Sequence, residues 1–284
     1  MILVVCMRSI EVGNIEIHAL ADGRIRLPAP FFPGLDAGRF PGAFAEDGTV
    51  HVPTGAFLVR GNARTILVDA GLGPREIEFP EGLRPDDGDM GAGGGLPVAL
   101  AEAGCSPADI DTVLLTHLHS DHVGWLAPQG KPYFPNATVH YGTQDWAELV
   151  EPVGRHDWTR IGLETVRGHG HLRALNGAVE IAPGVTARHA PGHTPGHYVV
   201  DITADDRRVV LLGDVLHTPA QLVDSNIRFI SDSDPSLALL TRQQWLRQVA
   251  GTDTIVAPAH FPGMQFFRVT ADRVAEPVEA VTVG

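Results

Sequence analysis

The chain has 284 residues, 44% of them hydrophobic, with 34 Asp and Glu against 21 Lys and Arg, for a net charge of −13. That length can bury a full core, and so acidic a balance without a basic run argues against nucleic acid as a partner. Two cysteines far apart, Cys6 and Cys105, exclude a disulfide framework and suit free thiols in a reducing compartment.

Ile2 to Met7 is too short for a signal-peptide core or a membrane span, and Arg8 follows at once, so a cytoplasmic protein without a membrane partner is expected. Ile15 to Leu20 and Ile25 to Leu27 read as a strand pair turning at Asp22-Gly23. Pro28 to Val50 carries Phe31, Phe32, Phe40 and Phe44 among Pro and Gly, the composition of an aromatic lid. Ala56 to Arg60 and Thr65 to Asp69 form a hairpin through Gly61-Asn62. Residues 73–95, rich in Gly and Asp, are expected as surface loop. Leu96 to Gly104 is a short helix with Pro97 in its first turn and Gly at its end. Thr138 to Tyr141 is strand, Thr143 to Val150 helix, and 151–175 an insertion whose His156, His169 and His171 are solvated or hydrogen-bonded. Val179 to Ile181, Val185 to His189 and His197 to Ile202 are strands. Asp234 caps a helix that Pro235 opens and Gly251 stops, with Leu237, Leu240 and Val249 as its buried face.

Four places in this series offer His or Asp directly after an apolar run. Thr112 to Leu115 leads into Thr116-His117-Leu118-His119-Ser120-Asp121-His122. On extended chain, residues two apart point the same way, so His117 and His119 can grip one ion. Asp121 and His122 fall where the chain would turn into a helix and diverge towards a second ion. Pro191-Gly192-His193-Thr194-Pro195-Gly196-His197 sets His193 in a rigid turn. Val209 to Gly213 ends in Asp214, and Thr254 to Ala259 ends in His260. A lone Asp after a strand is usually a turn former, and a lone His is usually structural. Together the four sites supply nitrogen and oxygen donors suited to zinc, with manganese, iron and cobalt also compatible.

These motifs resemble the metallo-β-lactamase superfamily, and Val68-Asp69-Ala70-Gly71 resembles its early strand-to-loop element. The resemblance implies an α/β (α+β) four-layer αβ/βα sandwich of two mixed β-sheets flanked by helices. A single domain over 1–284 is expected, with lid or insertion loops at 28–50, 73–95 and 151–175. It further implies two zinc ions: His117, His119 and His193 hold the first, Asp121, His122 and His260 the second, and Asp214 bridges them. Asp69 and His197 would orient these groups from behind. A hydroxide bridging the metals would attack the substrate, with Asp121 orienting it and passing a proton to the leaving group.

Departures choose the branch. Export-dependent metallo-β-lactamases carry Cys where Asp214 stands, and flavin-linked di-iron proteins put Glu where His119 stands. Hydroxyacylglutathione hydrolases add a C-terminal domain, whereas 24 residues follow His260 here. What remains resembles the acyl-homoserine lactonases and methyl parathion hydrolase. His217 stands where many lactonases carry Tyr; that His, Gln221-Leu222 and Pro262-Gly263 look more like the methyl parathion branch. The expected protein is a hydrolase of a small-molecule lactone or carboxylic ester, such as an N-acyl-homoserine lactone, with a quorum-quenching role. The alternatives are phosphotriester hydrolysis and, on the same scaffold, an iron-dependent oxidoreductase. His217 would donate to the substrate carbonyl, with Phe31, Phe32 and Leu222 as further substrate contacts and a homodimer through the lid aromatics.

Overall fold

A computed structural model describes residues 8–77 and 90–279. Cys6, the Ile2–Met7 segment and residues 78–89 of the expected 73–95 loop lie outside the described residues.

In chain order the first half contains β1 (Arg8–Val12), β2 (Ile15–Leu27), β3 (Val50–Gly61), β4 (Arg64–Val68), β5 (Gly91–Ala92), α1 (Leu96–Glu102), β6 (Thr112–Leu114), β7 (Thr138–Gly142), α2 (Thr143–Asp145), α3 (Trp158–Gly168) and β8 (Leu172–Leu175). The second half contains β9 (Val179–Ala182), β10 (Val185–His189), β11 (Tyr198–Ala204), β12 (Arg207–Gly213), α4 (Ala220–Val223), α5 (Pro235–Val249), β13 (Ile255–Pro258), β14 (Phe267–Val269) and β15 (Ala275–Pro277). One sheet runs β1-β2-β3-β4-β6-β7-β8 with β5 beside β2, and the other β15-β14-β13-β12-β11-β10-β9. Both are mixed: β4, β6, β7 and β8 are parallel, as are β12 and β13, and the other pairings are antiparallel.

Continuous apolar runs make the sandwich, because both faces of the central strands are covered. Along β12, Val209 and Leu211 join Ile17, Val59, Val68 and Leu114 in the core between the sheets. Val210 and Leu212 instead meet Trp245, Leu246 and Val249 of α5 on the outside. The first sheet is covered likewise, with Leu67 and Val113 packed on Leu96 and Leu100 of α1 and Leu163 of α3. The four-layer expectation holds. Among the described residues no helix is long and apolar enough to cross a membrane.

Several local expectations are corrected. Asp22-Gly23 is no turn: β2 runs unbroken through it with a bulge against β3. There the Asp22 carboxylate accepts from the amides of Leu72, Gly73, Gly94 and Leu96 and from Trp125 Nε1. The Thr143 helix changes at Trp146 into one π turn ending at Val150. Residues 151–175 supply α3 and the edge strand β8 rather than only a loop; His169 and His171 each bond a backbone carbonyl through Nδ1. On α5 the buried stripe is Ala238, Thr241, Arg242, Trp245, Leu246 and Val249, while Leu237 and Leu240 are 36% and 60% exposed. The helix is rotated because Arg242 finds acceptors inside, the carbonyls of Val215, Ser225 and Ile227, which offset part of the cost of burying this cation. Cys105 is a buried free thiol.

Candidate metal centre

Parallel neighbours bring chain exits to one edge. β4 ends at Asp69 and β6 at the His117 loop, while β12 and β13 of the other sheet end at Asp214 and His260. The Tyr198 amide donates to the Thr116 carbonyl, joining the two edges.

Asp69 takes a left-handed backbone (φ 63°) that turns its carboxylate back under the loop. There it accepts from the Thr116 amide at 2.7 Å and lies 2.9 Å from His122 Nδ1. With Nδ1 so engaged, His122 presents Nε2 to the centre. The expected helix after His119 is absent; Ser120 to Gly124 form turns, with the His122 amide donating to the His119 carbonyl. His119 Nδ1 lies 3.0 Å from both His117 Nε2 and His193 Nε2.

The second sheet supplies its groups singly. His193 sits in its Pro/Gly turn with Nδ1 2.9 Å from Asp232 Oδ1, and Asp232 Oδ2 is 3.7 Å from Arg242. His260 engages the Pro53 carbonyl through Nδ1 at 2.8 Å. Gly213 needs a left-handed φ of 51°, and a Cβ there would stand 2.7 Å from His197 Nε2. That nitrogen accepts from the Asp214 amide at 3.0 Å, which places His197 behind the centre.

Asp214 is the focus. Its Oδ2 lies 3.1 Å from His260 Nε2, 3.2 Å from His193 Nε2, 3.1 Å from His217 Nε2 and 3.7 Å from His117 Nε2. Its Oδ1 is 3.3 Å from His122 Nε2. Asp121 Oδ2 is 3.6 Å from His260 Nε2 and 3.8 Å from His122 Nε2. Burial pushes the Asp214 carboxyl up, but the ring of imidazoles prevails and holds it well below the carboxylate range. Burial pushes His119 down to about 3 and His217 to about 4, leaving neutral rings with lone pairs at pH 7.

The donors fit metal ions. His117, His119, His193 and Asp214 offer atoms within 4.8 Å of one another, and so do Asp121, His122 and His260. Nitrogens around a tetrahedral zinc stand roughly 3.3 Å apart for bonds of about 2.0–2.1 Å, close to the spacing here. His122 Nε2 and Asp214 Oδ1 are buried without a hydrogen bond, the state that bound cations relieve.

A cavity of about 340 Å³ opens over these groups. Ile25, Leu27, Phe31, Val52 and Phe229 wall it, with Asp121, His119, His217 and His260 at its base and, among the described residues, no Lys or Arg in its lining. A smaller apolar groove of about 260 Å³ shares His217 and His260 and is edged by Phe40 and Val223. Phe32 and Leu222, expected to touch substrate, line neither: Phe32 packs on Phe229 with ring centres 5.2 Å apart, and Leu222 points into the α5 core. Three supporting residues escaped the sequence reading. Asp232 and Phe229 lie in a stretch without periodicity, and Asp145 is the last residue of α2. Asp145 is fully buried and accepts from the Leu118 amide, Thr194 Oγ1 and the Gly196 amide, tying the His117 loop to the His193 turn.

Comparison with known proteins agrees with this geometry. The family described as "Metallo-beta-lactamase superfamily" matches residues 51–260. "N-acyl homoserine lactonase AiiA" of Bacillus thuringiensis subsp. kurstaki is 27% identical over 215 residues, 72% of this chain and 80% of that protein. "N-acyl homoserine lactonase AiiB" of Agrobacterium fabrum is 30% identical over 161 residues, 52% and 56% of the two chains. Among solved structures, "hydrolase AbOPH in beta lactamase superfamily" superposes with a TM-score of 0.80 at 22% identity, covering 98% of each chain. "AidC, a Dizinc Quorum-Quenching Lactonase" gives 0.77 at 23% identity, again covering 98% of each.

Proposed function

This chain belongs to the metallo-beta-lactamase superfamily, and from that premise we propose that it is a two-metal hydrolase of neutral carboxylic esters, lactones foremost. One observation carries the reading. Asp214 faces imidazoles from both groups at the base of a cavity with mostly apolar walls and, among the described residues, no Lys or Arg in its lining. Apart from the metals themselves, a site for phosphomonoesters or free carboxylates commonly adds Arg or Lys to meet the anion; a neutral ester needs only apolar walls and a polar base. Relatives named as N-acyl homoserine lactonases point to the lactone subset.

In this reading His117, His119 and His193 hold one cation, Asp121, His122 and His260 the other, and Asp214 both. When bound, such cations supply Lewis-acid polarisation of the ester carbonyl and activation of water. The chain's own residues do the rest. Asp121 lines the cavity, where its carboxylate would take the proton released by the attacking water and hand it to the leaving oxygen. Asp69, Asp232 and the Pro53 carbonyl hold three imidazoles in the tautomer that faces the centre. Phe31 and Phe229 keep bulk water from the reacting bond, and the 28–50 segment, of which Phe31 is part, serves as the lid. Zinc suits the donor set best, with manganese, iron and cobalt as substitutes. A neutral phosphotriester presents the same apolar, uncharged profile and is the second reading.

Hydrolysis of acyl-homoserine lactones, simple lactones, aryl esters and methyl parathion by metal-analysed protein tests this. Turnover of lactones at two metals per chain is expected; a fully metallated protein that cleaves none of them would overturn the substrate class.

A further inference from the structure

We propose that His217 is a metal ligand, forming with Asp214 and His260 a second seat for the cation otherwise held by Asp121, His122 and His260. This rests on the two-metal reading above and adds a donor to it. His217 Nε2 stands 3.1 Å from Asp214 Oδ2, the same distance as His260 Nε2 and within 0.1 Å of His193 Nε2. The donor atoms of Asp214, His217 and His260 all lie within 4.8 Å of one another.

A carboxylate oxygen offers about two lone-pair positions. Three imidazole nitrogens converge on this one: those of His217 and His260 lie at equal hydrogen-bond distance from it, while that of His193 also meets His119 Nδ1. A cation seated between Asp214, His217 and His260 would draw on the same nitrogens and oxygen.

His217 borders both cavities, yet its side chain is fixed on every side. Its side chain is 1% exposed. Its ring is held by packing, stacked on Phe229 at 3.9 Å and nearly parallel to His260 at 5.5 Å. Its loop is locked because the His217 amide donates to Gln221 Oε1 at 2.7 Å while Gln221 Nε2 donates to the Ile227 carbonyl at 3.0 Å. Its Nδ1 is buried without a partner, so no group behind the ring selects which nitrogen carries the proton. The ring is therefore placed, with Nε2 free to bind as a lone pair. The two seats share His260 and Asp214, and with His217 as the third donor the Asp121 carboxylate is released from the cation to exchange a proton with the leaving oxygen.

Metal titration tests this without turnover. Metal-free wild type, His217→Gln, which keeps much of the volume, and His217→Ala are titrated with Zn2+, and with Co2+ while its visible absorption is recorded. Wild type takes two equivalents. Both variants should bind the first unchanged and the second about 10-fold or more weaker, with an altered Co2+ band for that equivalent. Asp121→Ala alone should keep a second cation that Asp121→Ala/His217→Gln loses. Unchanged second-equivalent affinity and Co2+ spectrum in folded His217→Gln would overturn the ligand role and leave the two-metal centre standing. Fewer than two equivalents in wild type would overturn both.

Discussion

His117, His119, Asp121 and His122 ride on one loop after β6, whereas His193, Asp214 and His260 come from three separate places in the other sheet. The first group is arranged largely by neighbours in the chain, Thr116 and the turn after His119, with Asp69 reaching in from just after β4 and Asp145 and Arg75 bonding the loop backbone. The second has no such locality, and its positions depend on buried polar contacts made by distant residues: Asp232 under His193, Pro53 behind His260, His197 behind the Asp214 amide. Asp145 is the joint between the halves. A centre split this way is specified by its ligands but assembled by its supports.

The comparison breaks first at Asp214, the group both halves face. Asp214→Ala should cost at least about 10²–10³-fold in ester turnover and bring metal content below two per chain, and His122→Ala should abolish turnover as well. Unaltered turnover would mean that the halves work independently. Next is the joint. Asp145→Ala strands two buried amides and a hydroxyl, each costing about 1–3 kcal/mol, so urea unfolding of the metal-free protein should show a loss of several kcal/mol.

The remote half should then prove sensitive to its supports. Asp232→Asn is expected to weaken metal binding about 10–100-fold by competition with a chelator, and an equal effect of Asp69→Asn would remove the asymmetry between the halves. A pH measurement sharpens the role of Asp145. Burial pushes its carboxyl up from 3.8 to about 6 against the hydrogen bonds it accepts. The neutral form is thus favoured in the fold, and this stabilisation is fully present below the unfolded value and lost as pH rises through about 6. The stability of metal-free wild type relative to Asp145→Asn should therefore fall between pH 4 and 7, by on the order of 2–3 kcal/mol; a pH-independent difference would refute it. The smallest effect belongs to the corrected helix face: Leu240→Gln should change stability by no more than about 0.5 kcal/mol, against about 2–5 kcal/mol for Leu246→Ala.

The same contrast explains what could be read beforehand. His117 to His122, His193, Asp214 and His260 were visible because each follows an apolar run or a Pro/Gly turn, a purely local signal. The sandwich follows from the superfamily resemblance these motifs carry, while runs such as Val209 to Leu212, apolar on both faces, announce only buried strands. Asp22 was misread as a turn former because nothing near it in sequence announces donors from Leu72, Gly94 and Trp125. Leu237 and Leu240 were assigned inward because a buried Arg242 is intelligible only once the carbonyls it meets are in place. Phe229 stacks on His217 only after the chain between β12 and α5 folds back, a tertiary event without a local pattern.

The most direct test of the account is a stoichiometric zinc titration of metal-free protein with lactone hydrolysis followed at each addition. The account predicts turnover that rises to a break at two equivalents and is lost again on chelation. A break at one equivalent, or turnover by metal-free protein, would contradict it.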